Sequence, residues 1–189
     1  MNKKLNDEIK TDIYRYYGGH KIPLITKIFH LNPGIEYIIT LRKTKYYKTK
    51  SIFLYAFNRL KLDLLSKKYL FQIPYATNIG SGFYIGHFGC IIVNSRVSFG
   101  SNINIAPGVT VGQTNRGPLQ GVPTIGNEVW IGTNAVIVGK IIVGDDVLIA
   151  PNAYVNFNVP SHSIVIGNPG IIIHNEKATQ HYINNKASK

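Results

Sequence analysis

The sequence predicts a mainly β protein: a parallel β-helix built from six-residue repeats, behind a short α-helical N-terminal segment. Three observations carry that prediction. An aliphatic or aromatic residue followed by a small one recurs every six positions, as Ile79-Gly80, Ile85-Gly86, Phe99-Gly100, Ile105-Ala106, Val111-Gly112, Ile125-Gly126, Ile131-Gly132, Val143-Gly144 and Ile149-Ala150, with Ile137-Val138 and Val155-Asn156 in register. A fixed short period marks a solenoid in which each hexad is one strand and one turn, and stacked coils share a core. The fourth residue after each leading aliphatic is also apolar or small: Phe83, Ile103, Val109, Val129, Ala135, Ile141, Val147, Ala153. Two inward positions per hexad suit a narrow prism of short strands, whereas a sandwich would show turn signals about every 8–12 residues. The chain before Gln72 lacks this beat.

Taken in order, residues 1–72 read as an α-helical segment, 73–170 as the β-helix and 171–189 as a tail. The polar start, with Tyr14, Tyr16 and Tyr17, reads as a short helix broken at Gly18-Gly19, and Pro23–His30 is a brief apolar stretch. Asn32-Pro33-Gly34 is a turn signal, and Ile35–Tyr47 reads as helical. Ser51–Leu70 is the best helix, with Ser51 as its cap. Phe53, Leu54, Phe57, Leu60, Leu64 and Tyr69 form a stripe expected to pack on a neighbouring element. Trp130 follows a leading valine and should face outward, against a cleft or a second chain. The segment Ile164–Gly170 reads as a last coil, and the polar end from Asn175 as frayed.

Charge is uneven. Residues 1–72 carry 15 Lys/Arg against 5 Asp/Glu, and the remainder 6 against 4. This basic segment suits either an anionic membrane face or a solvated Lys-rich surface. A single cysteine, Cys90, excludes an internal disulfide framework. No secretory signal and no apolar run of about 18 residues is present, so a soluble cytoplasmic enzyme is expected.

The beat slips by two residues twice, between Ile85 and Phe99 and between Val111 and Ile125. The one histidine between Ile79 and Val155, His87, stands beside the first slip. The second holds the polar loop Gln113–Pro123, and insertions into a solenoid often shape its binding face.

These residues resemble the hexapeptide-repeat acyltransferases, and within them the serine acetyltransferase-like branch. The likeness covers roughly residues 71–170. It rests on Ile85-Gly86-His87-Phe88-Gly89, on Val109-Thr110-Val111-Gly112-Gln113-Thr114, on the closing Ile164-Val165-Ile166-Gly167-Asn168-Pro169, and on both slips. The resemblance implies a left-handed β-helix, a homotrimer with sites between neighbouring prisms, and acetyl-CoA as donor without a metal. It makes His87 the general base, which withdraws the hydroxyl proton as the oxygen attacks the thioester. Donor contacts carry over to Gly112, Thr133 and Pro151, and to the turn at Asn156 and Phe157, where relatives often place Thr-Lys. Gln113, Asn115 and Arg116 are the substrate-loop candidates. His162 matches a structural position.

The departures bear on the acceptor. Serine acetyltransferases carry an Asp before the base, another fifteen residues upstream, and Arg-His in the second loop. Here Gly86, Gln72 and Gly121-Val122 stand there. Gln72 can still hydrogen-bond the imidazole, without a carboxylate's charge. A zwitterion would leave unpaired charges in such a site. The loop Gly112-Gln113-Thr114-Asn115-Arg116-Gly117 resembles that of O-acetyltransferases of capsular, exopolysaccharide or lipopolysaccharide sugars. A sugar hydroxyl of a surface polysaccharide or its lipid- or nucleotide-linked precursor is therefore the expected acceptor, with work at the inner membrane face and no role for nucleic acid. Serine O-acetylation in cysteine synthesis and sugar-nucleotide N-acetylation are the alternatives. A γ-type carbonic anhydrase would need three metal-binding histidines that the repeat lacks, and a non-catalytic scaffold is the remaining option.

Overall fold

A computed structural model describes residues 3–24 and 32–187. Most of the apolar stretch expected over Pro23–His30 lies outside the described residues. The helical segment comprises α1 (Lys3–Tyr17), α2 (Pro33–Tyr47) and α3 (Ile52–Tyr69). Asn32-Pro33-Gly34 proves to be a helix start instead of a free turn. The Asn32 side chain accepts the Gly34 N–H, and Pro33 sits where its missing donor costs nothing. Glycine is required at 34 for a second reason: a Cβ there would lie 2.1 Å from the Ile85 carbonyl oxygen of the β-helix. Ser51 caps α3 by accepting the Leu54 N–H at 3.4 Å, as its sequence position predicts.

The rest of the chain winds into coils that build three sheets. The first coil holds β1 (Phe71–Gln72), β2 (Asn78–Ile79) and β3 (Tyr84–Ile85). The second holds β4 (Ile91–Val93), β5 (Ser98–Phe99) and β6 (Asn104–Ile105), and the third β7 (Thr110–Gly112), β8 (Thr124–Ile125) and β9 (Val129–Ile131). The fourth holds β10 (Val136–Val138), β11 (Ile142–Val143) and β12 (Val147–Ile149), and the last β13 (Tyr154–Val155) and β14 (Ser163–Ile166). Each strand pairs in parallel with its counterpart one coil away, giving the sheets β1-β4-β7-β10-β13, β2-β5-β8-β11 and β3-β6-β9-β12-β14. Strand β15 (Ile171–His174) closes the last sheet antiparallel to β14. The fold is a left-handed β-helix with a short helical N-terminal segment.

Both inward positions of each hexad are buried, so the two apolar columns read from the sequence line one core. The small residue that follows the leading aliphatic has its own cause. Gly80, Gly100, Gly126 and Gly144 stack at the corner between the second and third sheets. A Cβ on Gly100 would stand 2.5 Å from the Gly126 carbonyl oxygen, and one on Gly126 would stand 2.7 Å from that of Gly144. Successive coils touch backbone to backbone there.

The register identifies the two slips. Phe71 pairs with Ile91, 20 positions on, whereas Val136 pairs with Tyr154, 18 on, so the first slip inserts two residues. Thr110 pairs with Val136, 26 on, so the second inserts eight. Eight and two are alike to a six-residue period.

The helical segment docks on the first coil through a shared apolar core, through Tyr16 and Tyr37, and through one buried ion pair. Asp12 is fully buried, and Arg42 donates to both of its carboxylate oxygens. The Gly82 and Phe83 N–H groups donate to Asp12 Oδ1, and Arg42 also donates to the Ile79 and Gly80 carbonyls. Burial pushes the Asp12 carboxyl up, against the pull of Arg42 and of the two amides.

Two expectations need correction. Helix α3 packs through Asn58, Leu62 and Leu65, and of the predicted stripe only Tyr69 packs on the core, whereas Phe53, Leu54, Phe57, Leu60 and Leu64 are exposed. The polar tail is not frayed: Ala178, Thr179 and Ile183 are buried, and the tail runs back along one corner of the prism. Along that corner Asn102, Glu128, Asp146 and His162 each adopt a positive φ. The Asn175 N–H donates to the His162 carbonyl, Thr179 donates through N–H and hydroxyl to Asp146, Lys186 pairs with Glu128, and the Ala187 N–H donates to Asn102 Oδ1. The polar residues that suggested fraying are the ones that bond the corner. His162 joins them, its Nδ1 3.0 Å from Asp146 Oδ2.

Candidate active site

The first insertion carries His87 and is pinned at its far end. The Gly89 N–H donates to the Tyr69 carbonyl and the Ile91 N–H to that of Leu70, so the turn hangs from the end of α3. His87 is exposed, next to an exposed Phe88. Gly86 precedes it, and a Cβ there would lie 3.1 Å from the Tyr84 ring. That ring fills the space where a side chain beside the base would begin.

The register places three of the predicted residues on one corner. Following the third sheet's offsets, His87 leads to Pro107, Thr133 and Pro151 on successive coils. Backbone bonds run up the same edge, from the Gly108 N–H to the Cys90 carbonyl, from Asn134 to Pro107 and from Asn152 to Thr133. At the ~4.8 Å spacing of paired strands, Thr133 and Pro151 stand about 10 and 14 Å along the axis from the His87 level. Ala106, Gly132 and Ala150 keep this edge low, and Thr133 and Pro151 are exposed on it. A thin, extended ligand can lie along such a ledge with its end at His87, so the residues fit a pantetheine thioester.

The other predicted residues occupy a different corner. Gly112 ends β7, and Asn156 lies two coils on in the same column, past Val138. Phe157 is half-buried and packs against the core. The eight-residue insertion leaves from the same corner. Gln113 accepts from Asn94 and Arg96 and donates to Asn115, and Asn115 and Arg116 are exposed. The Thr114 and Gly121 backbones exchange hydrogen bonds of 2.9 and 3.0 Å, and the Lys140 N–H donates to the Leu119 carbonyl. Leu119 and Val122 anchor the loop on the core. Gly121, at φ +138° with Lys140 against it, and the inward-packed Val122 leave no charged side chain where serine enzymes carry two.

Gln72 lies on β1, exposed, beside a cavity of about 340 Å³ lined by Arg59, Ser66, Phe71 and Tyr75. No hydrogen bond joins Gln72 to His87 among the described residues. Trp130 does face outward, but its ring meets Tyr182 of the tail at 5.0 Å. Together they border a groove of about 860 Å³ that includes Leu148, Pro151 and Ile164. The tail's part in this groove was missed from the sequence, because nothing in Ala178–Tyr182 has a periodic signal. Among the described residues no group of three or more His, Cys, Asp or Glu could hold a metal ion.

Residues 123–156 match the family described as bacterial transferase hexapeptide (six repeats). The serine acetyltransferase of Helicobacter pylori is 35% identical over 96 residues, which is 51% of this chain and 56% of that protein. The enzyme of Bacillus subtilis is 32% identical over 116 residues, 61% of this chain and 54% of that one. This chain thus spans little more than half the length of these relatives. The structure of Neisseria gonorrhoeae serine acetyltransferase in complex with serine has a TM-score of 0.72 at 23% identity, covering 91% of this chain and 70% of that one. A serine acetyltransferase in complex with CoA has a TM-score of 0.73 at 25% identity, covering 91% and 71%. The chain thus carries a hexapeptide-repeat segment and is similar to the serine acetyltransferases.

Proposed function

We propose that this protein is an acetyl-CoA-dependent O-acetyltransferase in which His87 is the general base. The observation that carries this reading is the display of His87 on a pinned two-residue insertion at the foot of a ledge of small residues. Acetyl-CoA supplies an activated acyl group. His87 takes the proton of the acceptor hydroxyl as its oxygen attacks, and returns that proton to the departing thiol. Thr133 and Pro151 would hold the donor on the His87 corner. Gly112, Asn156, Phe157 and the loop residues Gln113, Asn115 and Arg116 are at the other edge of the same sheet. A homotrimer accounts for both sets, with the ledge of one chain facing the loop of the next.

The similarity to serine acetyltransferases favours serine as the acceptor. A second reading, a sugar hydroxyl of a surface polysaccharide or its precursor, is favoured by Gly86, Gln72 and Gly121-Val122, which leave a zwitterion without charged partners. We also take the basic N-terminal segment to hold the enzyme at the anionic inner face of the cytoplasmic membrane. Acetyl-CoA turnover by wild type and His87→Ala, with free serine and with purified glycan side by side, tests the proposal. The variant should lose ~10²–10⁴-fold. Equal rates would remove His87 from the chemistry, and turnover of serine alone would exclude the sugar.

A further inference from the structure

Six apolar side chains of α3 are exposed among the described residues, Ile52 and Leu54 in its first turn and four more that form one stripe. Phe53, Phe57, Leu60 and Leu64 are 84%, 66%, 63% and 58% exposed. Their 4-3-4 spacing puts them in an arc of about 60° on the helix surface, along roughly 17 Å of axis. The opposite flank, through Asn58, Leu62 and Leu65, is already buried. One helix therefore carries two apolar faces, and the fold covers one of them.

Charge decides what fits the second. Lys48, Lys50, Arg59, Lys61, Lys67 and Lys68 lie on or just before α3, with Asp63 the one acid between them. Lys67 reaches Asp63 at 2.8 Å and Lys61 reaches Glu36 at 3.1 Å, so the surroundings of the stripe stay net positive. Two copies meeting stripe to stripe would bring these lysines together, and like charges across an interface oppose association. The stripe exposes on the order of 500 Å² of apolar surface, about the apolar share of an ~800 Å² protein patch, so charge and not area selects the occupant. An anionic bilayer surface does not meet that objection, because its charge is opposite. Aromatic and aliphatic side chains enter the headgroup boundary while lysines stay at the phosphates. Among the described residues no helix is long and apolar enough to cross a membrane, so the contact is with one leaflet.

We propose that the Phe53–Phe57–Leu60–Leu64 stripe, bordered by Lys61, Lys67 and Lys68, is an interfacial docking surface for anionic lipid. This rests on the membrane association proposed above and assigns it to an insertion face in place of diffuse basic charge.

The test is co-sedimentation of the full chain with phosphatidylcholine vesicles, with and without phosphatidylglycerol. The wild type is expected to bind the anionic vesicles only. Phe53→Ser/Phe57→Ser/Leu60→Gln/Leu64→Gln should lower partitioning at least tenfold, and each of Lys61→Gln, Lys67→Gln and Lys68→Gln roughly fivefold. Circular dichroism and the thermal midpoint check folding, and the pair Phe53→Ser/Leu60→Gln serves if the fourfold variant fails. Binding of wild type and stripe variants alike would overturn the stripe while leaving charge-driven association intact. No binding by wild type would remove both. A fall in oligomer size with unchanged vesicle binding would assign the stripe to a second copy. Acetyl transfer is not read, so the catalytic proposal is tested separately.

Discussion

Removing the Asp12 carboxylate should weaken the docking of the helical segment on the first coil. In Asp12→Ala the Arg42 guanidinium, 6% exposed, loses its buried counter-ion. Breaking such a pair from one side costs about 3–5 kcal/mol. Glu8 at 3.5 Å and the Ile79 and Gly80 carbonyls still face Arg42, which favours the lower end, about 3 kcal/mol. The Gly82 and Phe83 N–H groups lose their acceptor as well, at about 1 kcal/mol each. The expected loss is about 4–5 kcal/mol, or roughly 10–15 °C in thermal midpoint for a chain of this size. Asp12→Asn keeps an oxygen for the amides and should lose about half as much. Replacing both partners, Asp12→Leu with Arg42→Met, should cost less than Asp12→Ala alone. Urea unfolding followed by circular dichroism at one protein concentration measures all three, because subunit association adds a concentration term. A loss below about 1 kcal/mol for Asp12→Ala would refute the reasoning.

The other predictions concern the repeat and the tail. Gly100→Ala should destabilise by about 1–3 kcal/mol, because its Cβ meets the Gly126 carbonyl. Gly112→Ala, whose nearest neighbour would be Val138 at 3.6 Å, should be neutral or slightly stabilising in the same melt. The tail should be held most firmly between about pH 4 and 6.5. His162 is raised by its hydrogen bond to Asp146, so its contribution is complete below the unfolded histidine value and lost as pH climbs through the folded one. For Asp146, burial opposes ionisation, but hydrogen bonds from Thr179, His162 and Ala178 outweigh it and depress the carboxyl, so that contribution disappears as pH falls through the folded value. Trp130, the one tryptophan, reports tail docking through Tyr182 by fluorescence. His162→Gln should flatten the alkaline limb and keep most of the acid one, which Thr179 and Ala178 still support; an unchanged alkaline limb would exclude His162 as its source.

What the sequence made legible was whatever repeats. Inward positions in a stacked coil depend on neighbours six residues away, so Phe83, Ile85 and Ile103 announced their burial locally. Long-range pairs left no such trace. Asp12 and Arg42 sit thirty residues apart on charged helices, where the ordinary expectation is a solvated surface. The corner residues Asn102, Glu128 and Asp146 look like turn residues, which they are, but their bonds to a tail up to 85 positions away are invisible in any window. Helix α3 failed for a related reason. Its periodicity shows two apolar flanks, and only the packing of Leu62 and Leu65 decides which one is covered. The length of the second insertion was hidden by arithmetic, since adding eight residues and adding two leave the same phase.

The arrangement of the candidate site follows from the same geometry. A β-helix can display a side chain only at its corners or outward from its strands, because both inward columns are filled. Its two insertions fall at opposite ends of one sheet, with His87 before β4 and the Gln113–Pro123 loop after β7. The strands between them are at most three residues long and parallel, and no hinge lies among them to fold one corner onto the other. In the mechanism proposed above, each prism presents His87 on one edge and the Gln113–Pro123 loop on the other, and a neighbouring prism packed beside the first brings the two together. Association of chains is then part of that proposal. It also explains why the charged partners missing at Gly86 and Gly121-Val122 bear so directly on the acceptor: they are lost from both edges at once.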